Sequence, residues 1–231
     1  MAKTPDFYDY CMDPGLTPAA RNTITVMLYR AGVWPARFDE TSCRLGADRL
    51  SQIKHLNLFR YQTDPYWRPI RDLKPVATLE QLEKLTLTQN AVSNLEPLTR
   101  LKNLNYLNAY RNIIRDVSPL VQLTQLRYLN LADNLVEAAA SLRSLKKLEH
   151  LDIGQNDLVQ VDFLAELSGL QILRLNDNRL TTVPPLDHQR SLETLDVGGN
   201  RLTDLTFLVS LPALKEFYAG DNRVSDLAGL N

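Results

Sequence analysis

LEQLEKLTLTQNAVSNLEPLTR (79–100) is followed at once by LKNLNYLNAYRNIIRDVSPLVQ (101–122), and the two align without a gap. Leu79, Leu82, Leu85, Leu87, Asn90 and Val92 of the first become Leu101, Leu104, Leu107, Ala109, Asn112 and Ile114 of the second. The asparagine then recurs every 22 residues, at Asn134, Asn156, Asn178, Asn200 and Asn222. A frame of this kind describes a chain that winds repeatedly through one short unit, each turn burying its apolar side on the next. The alternating leucines fit a short strand, because successive strand side chains point to opposite faces. Where the chain turns inward after the strand, backbone donors and acceptors are buried and must be paired. Asn carries both an amide donor and a carbonyl acceptor, so a column of them can stitch each turn to its neighbours.

From Leu79 the repeats run as 79–100, 101–122, 123–144, 145–166, 167–188, 189–210 and 211–231. Their returning sides read VSNLEPL (92–98), IRDVSPL (114–120), LTTVPPL (180–186), LTDLTFL (202–208) and VSDLAGL (224–230). Prolines and β-branched residues there disfavour full helices, so extended or 3₁₀ turns are expected. An irregular repeat precedes these. Ile53, Leu56 and Leu58 match its strand frame, while Ile70, Leu73, Pro75 and Val76 match its returning side. Leu58 aligns with Leu87 and Ile70 with Val92, so the offset falls from 29 to 22 within RYQTDPYWRP (60–69). Seven inserted residues therefore occupy the place of the Asn turn. Arg60, Tyr61, Tyr66, Trp67 and Arg68 make the loop aromatic and basic. Such a loop either seals the junction beneath it or offers a partner a grip.

Ahead of the repeats, residues 1–16 give little regular signal and read as an extended lead-in with some contact to the body. Thr17-Pro18 is a helix start, a hydroxyl cap followed by proline at the first helical position. Ile24, Met27, Leu28 and Ala31 recur at helical spacing, and Gly32 ends the run. A second short helix is expected from about Ser42 to Leu50. The division is thus a cap over 1–49 and eight repeats over 50–231, the cap covering a core end that would otherwise meet water. The last repeat stops at Leu230-Asn231 with no capping segment, so that end is expected either to be covered by a partner or another copy or to tolerate its exposed edge.

The chain has 231 residues, 44% hydrophobic and 23% charged, with a net charge of −1. That balance offers no footprint for nucleic acid, and no basic cluster or long apolar run points to a membrane. MAKTPDFYDY (1–10) lacks an apolar leader, so a cytoplasmic protein is the default expectation, with export by a route needing no such signal as the alternative. Cys11 and Cys43 fit neither a zinc motif nor a redox pair; two buried thiols are favoured, a single disulfide following if the protein is extracellular. His55, His150 and His188 have no metal-ligand spacing, no phosphate loop is present, and no activated Ser or Cys sits beside His150 and Asp152. No cofactor or metal is expected, and an enzyme is the least supported class.

With the leucines inward, the residues between them form the opposite face, expected to be concave. Phe59, Tyr106, Tyr110 and Tyr128 fall on it within strands one to four, with Arg111 and Arg127 alongside. Aromatic residues and arginines dominate binding hot spots. Farther along come His150, Asp152, Arg174, Asp196 and Tyr218. Asp152, Arg174 and Asp196 occupy equivalent positions on successive strands, either a surface ion ladder or a charge pattern read by a partner. Lys54, Lys84, Arg111 and Arg127 lie in the first half, whereas Glu149, Asp152, Asp177, Asp196, Glu216 and Asp221 crowd the second, which predicts a gradient from positive to negative. Gly154, Gly198 and Gly220 share one repeat position, where they either lower the surface for a partner's backbone or merely accompany a turn.

LTLTQNAVSNLEPL (85–98), LNAYRNIIRDVSPL (107–120) and LDVGGNRLTDLTFL (195–208) resemble the 22-residue leucine-rich repeats of bacterial internalin-like proteins and of the phosphatase-regulatory SDS-type repeats. The resemblance covers about residues 50–231; TVMLYRAG (25–32), with Cys43 after it, looks like the helical lead-in of some bacterial repeat proteins. It implies an α/β leucine-rich repeat solenoid with a curved parallel sheet and a non-enzymatic scaffold that binds another protein. A bacterial effector, scaffold or adaptor is the expected role, with an inhibitor or immunity-type protein masking another protein's active site as the alternative.

Overall fold

A computed structural model of the chain describes residues 5–34, 38–59 and 68–225. Eight strands of three residues each form one parallel sheet in sequence order: β1 (His55–Asn57), β2 (Lys84–Thr86), β3 (Tyr106–Asn108), β4 (Tyr128–Asn130), β5 (His150–Asp152), β6 (Ile172–Arg174), β7 (Thr194–Asp196) and β8 (Glu216–Tyr218). The register places Leu56, Leu85, Leu107, Leu129, Leu151, Leu173 and Leu195 in a single row, continued by Phe217. No leucine of that row is more than 3% exposed, which fixes one face of the sheet as the core and the other as open. The returning sides close most turns with short 3₁₀ helices, at Val76–Thr78, Glu96–Arg100, Ser118–Gln122, Ala140–Ser144, Asp162–Glu166 and Thr206–Ser210. The turn through Pro184 and Pro185 forms none.

The asparagines do the work expected of them. Asn112 donates from Nδ2 to Ala109 O and Tyr110 O of its own turn and to Leu87 O of the turn before, at 3.0–3.3 Å. Its Oδ1 accepts from Val92 N at 3.0 Å. Asn134, Asn156, Asn178, Asn200 and Asn222 repeat the same four bonds one turn on. Asn90 makes them across the insertion, donating to Leu58 O and accepting from Ile70 N. Both offsets read from the sequence, 29 at the strand and 22 beyond the loop, are therefore present in the structure. The residue before each Asn sits in the left-handed region: Gln89, Arg111, Asp133, Gln155, Asp177, Gly199 and Asp221 have φ of 52–64°. Six of these seven are not glycine, so the repeated backbone bonds hold a conformation that side chains ordinarily avoid.

Among the described residues the cap has three helices rather than two. Besides α2 (Pro18–Arg30) and α3 (Glu40–Leu50), a short α1 (Phe7–Met12) replaces the expected extended lead-in. Asp6 caps it, accepting from Asp9 N at 3.0 Å, while Asp9 accepts from Asp6 N at 3.2 Å. This reciprocal capping box satisfies two helix-end donors at once. Thr17 caps α2 as expected, accepting from Ala20 N. Gly32, at φ 73°, ends α2 with Gly32 N–H donating to Tyr29 O and Val33 N–H to Leu28 O, the paired bonds of a Schellman close. The favoured reading of Cys11 and Cys43 as two thiols is corrected. Both are buried, but a disulfide joins them across a Cα–Cα distance of 5.7 Å, tying α1 to α3. Thr23 Oγ1 donates to Asp72 O at 2.7 Å and Gln81 Nε2 to Leu50 O at 2.8 Å, so the cap is bonded onto the first repeat. One apolar cluster runs unbroken from Phe7 to Leu211.

Candidate functional site

Side chains run across the open face in rows, one position of every strand to each row. The row opening each strand reads His55, Lys84, Tyr106, Tyr128, His150, Ile172, Thr194 and Glu216. Within it Tyr106 and Tyr128 stack at 4.2 Å between centroids and 12° between planes, and Tyr128 and His150 at 4.4 Å and 24°. Three rings on three adjacent strands thus stand like books on a shelf. Their shared faces are hidden against one another. Cross-strand aromatic neighbours also stabilise a sheet, so part of this stack's value is structural. Burial raises the Tyr128 phenol above its usual range. Burial and then the Arg174 guanidinium pull His150 down to about 4, and His150 Nε2 is buried with no hydrogen-bond partner.

The row closing each strand reads Asn57, Thr86, Asn108, Asn130, Asp152, Arg174, Asp196 and Tyr218. Sequence reasoning missed a local duty here. Asn57, Asn108, Asn130, Asp152 and Asp196 each accept from the backbone N–H two residues on, at 2.9–3.2 Å. These Asx turns pin one side-chain oxygen of every Asn or Asp in the row. The signal was present as Asn or Asp two residues ahead of each loop. Asp152 and Asp196 keep their second oxygens clear of any backbone bond, and burial raises the Asp152 carboxyl, opposed by Gly154 N–H and Arg174.

Of the two readings of Asp152, Arg174 and Asp196, the ladder of ion pairs is not formed. Among the described residues no carboxylate lies within 4.0 Å of its guanidinium. The pairs stand instead in the row just before the strands, where Lys54 meets Glu83, Arg127 meets Glu149 and Lys215 meets Glu193. Arg111 pairs with Asp133 at 3.6 Å on the turn. Lys54, Arg111 and Arg127 of the positive half are therefore paired, whereas in the negative half only Glu149 is, among the described residues.

The other candidates divide. Tyr110 is half-buried beyond β3, at one end of a depression that reaches Asn176. Phe59 lies beyond β1, its carbonyl taking Arg30 Nη2 at 3.2 Å, and β2 stands between it and the tyrosine stack. Tyr218 is 54% exposed on β8. Tyr66 and Trp67 lie outside the described residues. Gly154 is corrected as a place for a partner's backbone: a Cβ there would come within 2.4 Å of Asn176 Oδ1, so the neighbouring repeat uses the space. Of Gly154, Gly198 and Gly220, Gly220 alone opens onto free space. Among the described residues no group of three or more His, Cys, Asp or Glu is placed to hold a metal ion. None of their helices is long and apolar enough to cross a membrane.

A family profile described as "Leucine Rich repeats (2 copies)" matches residues 168–210 and 190–231, the latter part of the frame traced above. The chain is a leucine-rich repeat solenoid. The crystal structure of an internalin C2 (inlC2) from Listeria monocytogenes is similar over all of this chain and 93% of that one, at TM-score 0.77 and 24% identity. An internalin (inlF) from the same organism aligns over 79% of this chain at TM-score 0.70 and 24% identity, the alignment spanning 59% of the inlF chain. A plant peptide hormone receptor, RGFR1 in complex with RGF2, aligns over 77% of this chain and 30% of its own at TM-score 0.64 and 20% identity. At these identities the likeness is one of fold. No curated protein sequence matches the chain. The parallel sheet and returning turns described above are those of the leucine-rich repeat fold, and the surface they carry is this chain's own.

Proposed function

We propose that this leucine-rich repeat protein is a non-enzymatic binding module, an effector, scaffold or adaptor that holds another protein on the open face of its sheet. The observation that carries the reading is the Tyr106–Tyr128–His150 stack, three rings aligned on adjacent strands of the face that the core does not need. The similar hormone receptor is described in complex with a peptide, which supports protein recognition by this architecture. Tyrosines fixed in a stack give up little conformational freedom on binding, which suits them as anchors. The Cys11–Cys43 bond supports a working life in an oxidising compartment, favouring the exported alternative over the cytoplasm.

Replacing Tyr106 and Tyr128 together by Ala tests the reading. The variant should keep a cooperative melt, shifted by about 1–2 kcal/mol for the lost ring contacts. It should also fail to retain proteins that the native chain captures, as scored by mass spectrometry. Equal capture by a folded variant would refute the assignment.

A further inference from the structure

Between Tyr110 and Asn176 the open face sinks into a depression of about 390 Å³. We propose that it seats a basic side chain, Arg or Lys, of the partner protein, with Asp152 and Asp196 as the receiving carboxylates. The inference rests on the reading of the open face as the binding surface and names the chemistry it recognises.

Three observations point to a cation. The first is unused charge. Asp152 and Asp196 stand on β5 and β7 with Arg174 between them on β6, yet Arg174 is within ion-pair distance of neither. Two carboxylates against one cation leave the depression net negative. The turn beside it adds Asp177, whose Oδ2 accepts from Asn176 Nδ2 at 2.8 Å.

The second is preorganisation. Each aspartate has one oxygen held by a backbone N–H, at 3.2 Å from Gly154 and 3.0 Å from Gly198. Both carboxylates are thus fixed before a ligand arrives, which lowers the cost of ordering them. Asn130 Nδ2 reaches Asp152 Oδ2 only at 3.5 Å, too long to satisfy it.

The third is the wall. Tyr110 and Ala132 are among the residues that line it, an aromatic ring and a small side chain that leave room for the stem and head of Arg or Lys. Burial raises the Asp152 carboxyl by penalising its charged form, a penalty that the charge of an incoming guanidinium would offset.

Asp152→Asn with Asp196→Asn removes the charge and keeps the turns, because Asn already fills the same row at Asn108 and Asn130 with the same backbone bond. N-acetyl-arginine methylamide is the probe, titrated against the isotope-labelled chain by NMR, with the citrulline and glutamate derivatives as controls. The arginine derivative should shift the Gly154 and Gly198 amides, the neutral citrulline isostere should leave them unmoved, and the double variant should weaken the response about tenfold or more. Arg174→Gln should strengthen it by relieving repulsion. Equal shifts from citrulline, a response to the glutamate derivative alone, or no movement of these amides would overturn the proposal. If the arginine response is missing while the tyrosine variant still loses its captured partners, the seat is wrong and the open-face reading stands. If arginine binds as expected but capture ignores both the tyrosines and the two aspartates, the open-face reading falls and the seat serves no partner.

Discussion

A single asparagine shows how the repeat converts sequence into stability. Asn156 is 8% exposed, donates to Leu131 O, Ile153 O and Gly154 O, and accepts from Val136 N. Asn156→Ala strips partners from buried groups in two repeats and should cost about 1–3 kcal/mol in a denaturant melt; a neutral result would mean that water replaces the side chain at no cost. His150 adds a dependence on pH. Its value falls from 6.5 to about 4 on folding. The unfolded chain thus takes up this proton first, and stability drops as the pH falls from about 6.5 to about 4, levelling off below. Discounted for the imidazole's partial contact with water, the loss is about 1–2 kcal/mol. Arg174 favours the neutral imidazole, whereas Asp152, raised by burial, gains a proton on folding and offsets part of the loss near the acid end. His150→Phe keeps a ring against Tyr128 without the titration, so urea melts at pH 7 and pH 4.5 should differ less for the variant than for the native chain. Identical pH slopes would contradict this account.

At the scale of elements, what could be read from sequence was what periodicity dictates. The strands, the asparagine column, the register jump around 60–69 and the Thr17-Pro18 helix start all follow from local pattern. The capping box at Asp6 and Asp9 was equally local and was overlooked among weak signals in residues 1–16. The disulfide was not legible, because a separation of 32 residues says nothing until α1 and α3 are brought together. Ring stacking depends on side-chain rotamers, and the ion pairs depend on which row of long side chains meets across strands; neither has a one-dimensional signature. The turn through Pro184 and Pro185 shows a repeat departing from its frame. It lacks the 3₁₀ helix, and Gln189 takes the position held by Leu101, Leu123, Leu145, Leu167 and Leu211. Gln189 is 1% exposed, and although Nε2 donates to Leu164 O at 2.8 Å, Oε1 is buried without a partner. Gln189→Leu restores the frame and should stabilise the chain by about 1 kcal/mol in the same melts; destabilisation would show that the amide bond to Leu164 holds this turn in place of the missing helix.

Across the whole molecule, each layer leaves the next one free. Leucines fill the core, asparagines satisfy the turns, and the cap is bonded over the first repeat, so the open face carries side chains that the fold itself uses sparingly. That face is not uniform. A ring stack on β3 to β5 adjoins a depression lined by Asp152 and Asp196, while the cations at Lys54, Arg111 and Arg127 are already engaged by acidic neighbours. A partner matched to it would bring hydroxyl-bonding groups to the stack and positive charge beside it. The most direct test places a photo-crosslinking residue at Thr194, on the strand face, and separately at Val159, 53% exposed on the returning side. With the partner bound, crosslinks should form from position 194 and not from position 159. Crosslinks from 159 alone would put the partner on the other side of the solenoid and contradict the account.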